Sequence, residues 1–345
     1  MNNNVMIAMS GGVDSAVAAH LSMQEGRVAA GVTMRHFEGS VQQDIADAAA
    51  LCELLGIPHF TAPMEKIFEK EVISPFIAAY EAGLTPNPCV FCNKKVKFGA
   101  LLEFAVASGY DRIATGHYAR IERTESGRTL VRRALDESKD QTYMLYTLTQ
   151  EVLSRVELPL GDLTKSQVRS LAEVLHFPAA NRADSQDICF IPDGDYAAFI
   201  TRFTGKESPS GSFLATDGTV LGTHKGQLHY TVGQRKGLGI ALGAPAYVVA
   251  KSAEHNTVTL GKNEDLFSTR LTAKSINLIP EDVLPAKRRL LAKVRYAQAP
   301  TPAWVEQTAE DELTVEFDTP QRAISPGQSL VLYEDDYLFG GGIIC

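Results

Sequence analysis

The first 120 residues alternate between two hydrophobic periods. Residues 5–9 (VMIAM) form a short apolar run ending in Ser-Gly-Gly, and residues 13–24 then place Val13, Ala16, Val17, His20 and Leu21 at helical spacing. VAAGVTM (28–34) reads as a second strand, DIADAAALCELLG (44–56) as a helix, IPHFTAP (57–63) as a third strand, 94–107 as a helix and YDRIATG (110–116) as a fourth strand. Strands that alternate with helices predict βαβ units: an α/β, doubly wound parallel sheet whose ligands sit beyond the carboxyl ends of its strands.

Helical character is expected to continue to about residue 180, with Thr164-Lys165-Ser166-Gln167 as a capping box opening a helix that runs to Leu175. From about residue 205 the texture changes to short, glycine-rich alternating runs (GSFLATDGTVLG, LHYTVGQRKGLGIALG, AYVVAKSAEHNTVTLG). The stretch from 268 to the end holds LLAKVRY, AWVEQ, LTVEFD and SLVLYE between Pro, Asp and Gly, the spacing of a small β-barrel. Soft boundaries near 200 and 267 therefore divide the chain into 1–200, a small central β-rich domain at 201–267 and a C-terminal barrel at 268–345.

Composition changes this picture little. A chain of 345 residues with 45% hydrophobic and 21% charged content suits a globular protein with a large core. Five cysteines at wide gaps do not form a secreted disulfide framework, and no signal peptide or membrane span is read, so a reducing cytoplasm is expected. The net charge of −8 argues mildly against nucleic acid. Local charge differs: Lys94 to Lys139 holds ten Lys or Arg against six Asp or Glu, and KRRLLAKVR (287–295) holds five basic residues and no acidic one. Charge permits RNA without indicating it.

The chemistry-bearing motif is Ser10-Gly11-Gly12-Val13-Asp14-Ser15, between the first strand and the first helix. Two glycines allow backbone amides to approach an anion over a helix N-terminus. Ser10 and Ser15 can donate hydroxyls to phosphate, and Asp14 can help hold Mg²⁺. The Lys of a Walker A loop is missing. Strand–SGGxDS–helix instead signals the ATP pyrophosphatase loop, which adenylates a carbonyl-type oxygen for displacement by a nucleophile.

Cysteine is a candidate nucleophile. Cys92 opens the basic helix, where the dipole and Lys94, Lys95 and Lys97 would favour thiolate. Cys189 lies in the turn-rich DSQDICF. Cys52, at helical spacing among apolar residues, reads as a buried structural cysteine. Cys89-x-x-Cys92 alone could be half of a zinc site, a redox pair or part of a catalytic centre.

At this point the sequence resembles the bacterial tRNA-specific 2-thiouridylases. The ordered set AMSGGVDS (8–15), GVTM (31–34), TPNPxxxCNKxxKF (85–98), ATGHYAR (114–120), KDQTYMLYTL (139–148), DSxxICFI (184–191), YTVGQRKGLGI (230–240), KVRY (293–296), SPGQS (325–329) and GGGII (340–344) spans the chain. Each is weak alone; in order they are specific. The resemblance implies an adenine nucleotide α-hydrolase-like catalytic domain and a tRNA-binding barrel. It also implies that ATP adenylates O2 of the wobble uridine (position 34), and that sulfur replaces this oxygen to give 2-thiouridine.

By motif match, Ala8, Met9, Ser10, Gly11, Gly12, Val13, Asp14 and Ser15, with Met34 and Gly116, contact ATP. Cys189 carries a persulfide and Cys92 helps release its sulfur, leaving a Cys92–Cys189 disulfide. Asn87, Pro88 and Cys89 line the pocket of a base that has left the stack. His117, Lys139, Asp140, Gln141, Arg295, Tyr296 and Gln328 match tRNA-contact positions. Expected partners are tRNA and a cysteine desulfurase or sulfur-relay protein, with the enzyme itself a monomer. Many members carry Asp where this chain has Cys89, so that carboxylate's role does not transfer.

Three alternatives remain at this level. Cys89, Cys92 and Cys189 could hold a [4Fe-4S] cluster whose open iron binds sulfide; three thiolates are too few for a closed Cys₄ zinc site. The loop could serve an amide-forming synthetase, which has no need of Cys92 and Cys189. The chain could be a nucleotide-sensing RNA-binding module without turnover.

Overall fold

The computed structural model describes residues 4–24, 26–37, 42–178 and 188–345. Strands β1 (Asn4–Ala8), β2 (Val28–Arg35), β3 (His59–Pro63), β4 (Arg112–Ala114) and β7 (Val156–Glu157) form one sheet in the order β3-β2-β1-β4-β7, every pairing parallel. The order reverses between β1 and β4, which opens a crevice at their carboxyl ends. Helix α1 (Val13–Gln24) follows β1 and α2 (Gln42–Leu55) follows β2. Val5, Ile7, Ala16, Val17, Leu51 and Cys52 pack one side of the sheet, and Met6, Val32, Phe68, Phe76, Val96 and Leu101 the other. Cys52 is a core residue, as expected: a Cβ on Gly31 would come within 2.2 Å of its sulfur.

Two long helices cover the second face. In the first, α3 (Glu65–Phe68), a π-helical turn (Glu69–Ile73) and α4 (Ser74–Glu81) run on without a break. In the second, α5 (Pro88–Phe91), a nine-residue π-helical stretch (Cys92–Ala100) and α6 (Leu101–Ala107) do the same. The two π segments pack on each other. Asn87 caps the second helix by accepting from Cys89 N, with Pro88 at the first turn, so this helix starts six residues before the expected 94.

The expected helical continuation to residue 180 is corrected. Strands β5 (Ala119–Arg123) and β6 (Thr129–Arg133) form a hairpin whose period of two, ARIER and TLVRR, is a strand pattern. Short helix returns at α7 (Gln150–Leu153) and at α8 (Lys165–Val174), which is opened by the complete Thr164/Gln167 capping box. Helix α9 (Tyr196–Thr204) runs through residue 200.

The central unit is a four-stranded sheet, β10-β11-β8-β9, built from β8 (Gly211–Ala215), β9 (Val220–His224), β10 (Tyr247–Ser252) and β11 (Thr257–Gly261). Residues 230–246, read as alternating in the sequence, contain no strand. Gly233, Gly237, Gly239 and Gly243 all adopt positive φ (91°, 73°, 73° and 69°), which breaks extended structure.

The C-terminal barrel is closed by six antiparallel strands: β12 (Phe267–Leu278), β15 (Glu312–Arg322), β14 (Thr301–Ala309), β13 (Arg288–Lys293), β16 (Ser329–Glu334) and β17 (Tyr337–Ile344), with β17 pairing back to β12. β12 serves both neighbours through a register shift at Lys274/Asn277, where Ser275 takes φ +53°. A Cβ at Gly340 would lie 2.2 Å from Asn277 O and one at Gly341 2.1 Å from Leu330 O. The terminal GGG is therefore the closing seam.

The barrel grips the first domain. β17 pairs with β6 at Tyr337↔Arg132, and Arg120 and Arg132 both donate to Asp336. Asn277 donates to the Tyr146 and Leu148 carbonyls, and the Tyr143 hydroxyl donates to Ser329 O. The KDQTYMLYTL motif is thus largely a docking element.

Candidate active site

The Ser10–Ser15 loop lies at the carboxyl end of β1, in the crevice beside β4. Gly11 has φ +71°, and a Cβ there would sit 2.9 Å from the Asp47 Cβ, so the turn needs glycine. Ser15 Oγ is buried; it accepts from Ser10 N (3.2 Å) and donates to Gly12 O (3.0 Å). Ser15 therefore fixes the loop from within, while Ser10 stays exposed. Ala8 and Met9 form the strand end, with Met9 N bonded to Val32 O. Met34 is half-buried at the end of β2, and its carbonyl accepts from His36 Nδ1 (3.1 Å). Gly116, just past β4, lies against the loop, because a Cβ there would come within 3.0 Å of Asp14 and 3.1 Å of Ser15 N.

Asp14 occupies the second position of α1. Its carboxylate takes the Tyr118 hydroxyl (2.7 Å) and the Lys165 ammonium on both oxygens (2.8 and 2.7 Å). Lys165 is the residue at this loop that the sequence does not single out. It stands one position after the Thr164 cap, only 9% exposed, and its ammonium also lies 5.7 Å from the centre of the Tyr118 ring. The available signal was a cation at the first position of a helix, against the dipole.

The sequence-level expectation that helix geometry favours a Cys92 thiolate is corrected. Cys92 lies one turn inside a helix that begins at Pro88, not at its start. It is half-buried, and burial pushes its thiol up to about 12. Crowding by protein pushes Cys189 up to about 11 and raises Cys89 as well, although both are open to solvent on one side, which softens the effect. All five cysteines are free thiols, so the expected Cys92–Cys189 disulfide is not formed in this state. Cys189 and Cys89 are near enough to Cys92 to disfavour its anion.

Cys189 is held in place by its neighbours. Ile191 N bonds back to Ile188 O, and buried Phe190 packs between Phe68, Phe76 and Phe199 at 5.6, 5.5 and 5.2 Å. The acidic part of DSQDICF (184–187) lies outside the described residues.

Of the three lysines expected to act on Cys92, one does. Lys97 is half-buried, and among the described residues it makes no ion pair; it is the positive charge that acts on Cys89, Cys92 and Cys189 and on His36 and His117. Lys97 stands five positions after Cys92, the hydrogen-bond spacing of a π-helical turn, which brings both to one face. Lys94 and Lys95 are exposed, and Lys95 reaches towards Glu71 (3.9 Å).

With thiols this high, iodoacetamide alkylation of native Cys92 and Cys189 at pH 8 should run about 100-fold slower than for a free thiol, and accelerate towards pH 10–11. Mass mapping of the labelled peptides against pH measures this. Rapid labelling of Cys92 at neutral pH would contradict a half-buried, protonated thiol.

Most expected tRNA contacts are engaged within the chain. His117 is buried, bonded to Thr115 Oγ1 (2.8 Å) and packed 5.7 Å from Phe98; burial, reinforced by Lys97, holds it well below the usual histidine range and therefore neutral. Asp140 accepts from Ala134 N (3.0 Å) and Thr142 Oγ1 (2.6 Å), and Gln141 accepts from Tyr118 N (2.9 Å). The Arg295 guanidinium binds Val232 O, Ala323 O and Ser325 Oγ, and Gln328 donates to Thr85 O (2.8 Å), tying the barrel to the TPNP segment. Lys139 is half-buried on the 3₁₀ turn Glu137–Lys139. Tyr296 is 41% exposed, flanked by Tyr143 and Lys293.

The basic run 287–295 is likewise corrected as a charge patch. Lys287 pairs with Glu316, Arg288 with Glu281 and Glu334, and Arg289 with Asp318, while Lys293 lies over Tyr143 and Tyr296. Strand β13 lies between β14 and β16, and the cations in and just before it meet carboxylates from β15, from β16 and from the connection between β12 and β13.

Among the described residues no three His, Cys, Asp or Glu side chains are grouped as a metal site. Both Asp14 oxygens are engaged by Lys165, so Asp14 does not fit a preformed Mg²⁺ ligand. No described helix is long and apolar enough to cross a membrane.

Three family models cover nearly the whole chain: the tRNA methyl transferase HUP domain matches residues 3–193, the tRNA methyl transferase PRC-barrel domain 197–262 and the aminomethyltransferase beta-barrel domain 268–344. Among similar proteins, the tRNA-specific 2-thiouridylase MnmA of Clostridioides difficile (strain 630) is 45% identical, covering 100% of this chain and 98% of the relative. The relative MnmA 1 of Clostridium tetani (strain Massachusetts / E88) is 45% identical over 100% of this chain and 97% of its own length. That of Acetivibrio thermocellus is 45% identical over 99% and 98%. With full-length identity at this level and all three domains matched in order, the chain belongs to the tRNA-specific 2-thiouridylase family.

Proposed function

We propose that the protein is an ATP-dependent tRNA sulfurtransferase that converts the wobble uridine, position 34, to 2-thiouridine. The carrying observation is an unbroken path of neighbours from the nucleotide loop to the cysteines. Asp14 lies against Gly116; His117 follows and packs on Phe98; Lys97 precedes Phe98 and acts on Cys92 and Cys189. A nucleotide on the loop and a sulfur on Cys189 would therefore lie a few side chains apart.

In the proposed reaction the loop amides and Ser10 receive the phosphates, and O2 of the uridine displaces pyrophosphate from ATP. The base becomes an electrophile at C2, with AMP as leaving group. The terminal sulfur of a Cys189 persulfide attacks C2; the C2–O bond breaks and AMP departs with that oxygen. Cys92 then attacks the Cys189 sulfur, breaking the S–S bond and releasing 2-thiouridine. The two cysteines end as a disulfide, which an external thiol must reduce with two electrons. Cys92 keeps its proton until late because burial raises its thiol, and Lys97 is the one charge that favours its anion. The persulfide needs a sulfane donor, so a desulfurase or relay protein is a necessary partner.

By the family resemblance, Cys89 takes the place of an Asp. Its amide is held by the Asn87 cap and its thiol is exposed, which supports a place beside the target base rather than a proton-transfer role. Buried Pro88 and the Gln328–Thr85 bond fix the backbone there, so Gln328 acts as a positioning residue.

Incubation with unmodified tRNA, ATP, Mg²⁺ and a persulfide source tests the proposal. 2-Thiouridine should form with one AMP per sulfur inserted; ATP bound without AMP formation in the complete mixture would overturn it.

A further inference from the structure

The nucleotide loop has the glycines and serines of a phosphate cradle and lacks the lysine that a Walker A loop carries in its own sequence. Among the described residues a lysine nevertheless arrives at this loop, from 151 positions along the chain. We infer that Lys165 is the polyphosphate-binding cation of this site, supplied by α8 and aimed by Asp14 and Tyr118.

Three observations carry this. First, the ammonium is fixed at the loop by both Asp14 oxygens, and Asp14 itself belongs to SGGVDS. Second, the N-termini of α1 (12 residues) and α8 (10 residues) meet there, so two helix dipoles and one cation favour negative charge at the same place. Third, Lys165 sits against local preference: a long cation, 9% exposed, at the first position of a helix. Burying it costs side-chain entropy and desolvation, and the dipole opposes it. A residue that breaks local rules in a crevice, with its neighbours built around it, marks function rather than packing. The neighbours are so built: Thr164 caps α8, and Asp136 accepts from Lys165 N (2.9 Å), which fixes the root of the side chain.

The chemistry selects the ligand. An ammonium at a helix N-terminus recognises the di- or triphosphate portion of a nucleotide, not its base. Lys165 should thus discriminate ATP from AMP, and Asp14 is a positioning residue that acts through it.

This inference presupposes that residues 8–15 bind ATP, and the experiment separates the two. Fluorescent ATP and AMP analogues are titrated against wild type, Lys165→Met and Lys165→Arg. Lys165→Met should lose about 10- to 100-fold in ATP affinity, the range of a charge-assisted hydrogen bond, with AMP affinity held within about 2-fold. Lys165→Arg should recover much of the loss. If Lys165→Met is too unstable to assay, the double variant Asp14→Asn/Lys165→Met, which leaves no unpaired carboxylate, should show the same selective loss. Equal weakening of ATP and AMP, or no weakening of either, would overturn the inference while leaving the ATP loop intact. Wild type binding neither nucleotide would overturn both.

Discussion

Replacing Cys189 by serine should leave no thiolated tRNA, a loss of at least about 1,000-fold, while ATP still binds with wild-type affinity. A serine hydroxyl cannot carry a sulfane sulfur, so the covalent route closes entirely instead of slowing. The substitution is nearly isosteric, and the turn is held by Phe190 and Ile191, not by the sulfur, so the fold should be unaffected. Nucleotide binding, measured alongside, separates loss of chemistry from loss of structure. Cys92→Ser should differ in kind: one sulfur can reach the base, but the product stays linked to Cys189 through an unresolved disulfide. Full activity of Cys189→Ser would support an amide-type synthetase reading of the loop.

The second large effect is expected at Asp14. Asp14→Ala removes the partner of a buried ammonium and should cost about 3–5 kcal/mol of stability, at the lower end because Asp14 itself is one-third exposed. tRNA-dependent AMP formation should fall at least about 100-fold, because Lys165 loses its aim and the Tyr118 hydroxyl its acceptor. Asp14→Asn retains an oxygen for Tyr118 and should recover part of the stability. Chemical denaturation and AMP release together check this; unchanged AMP formation in Asp14→Ala would remove Asp14 and Lys165 from the site.

The parallel sheet and the loop are legible in the sequence because both depend on local patterns. β1 through β4 are apolar runs between helical periods, and SGGVDS falls at a strand end with glycine where φ must be +71°. The β5–β6 hairpin is missed because its arginines make it look like helix surface, although they reach across to Asp336 on the barrel. The run 287–295 reads as a basic patch because its carboxylate partners come from other parts of the chain.

The site shows the same division. Cys92, Cys189 and the loop stand out by residue type and motif. The protonated state of Cys92 does not, because it follows from where α5 begins and from burial between packed helices. Lys165 is hidden for a related reason: its role depends on α8 packing beside α1, and the sequence shows only a capping box with a lysine after it.

The most direct measurement follows one oxygen atom. Unmodified tRNA carrying ¹⁸O at C2 of the wobble uridine is incubated with the protein, ATP, Mg²⁺ and a persulfide donor, and the products are weighed by mass spectrometry. Adenylation at O2 followed by sulfur attack at C2 predicts one ¹⁸O in each AMP, one 2-thiouridine per AMP and no label in pyrophosphate. Label in water or pyrophosphate, or 2-thiouridine formed with unlabelled AMP, would contradict it.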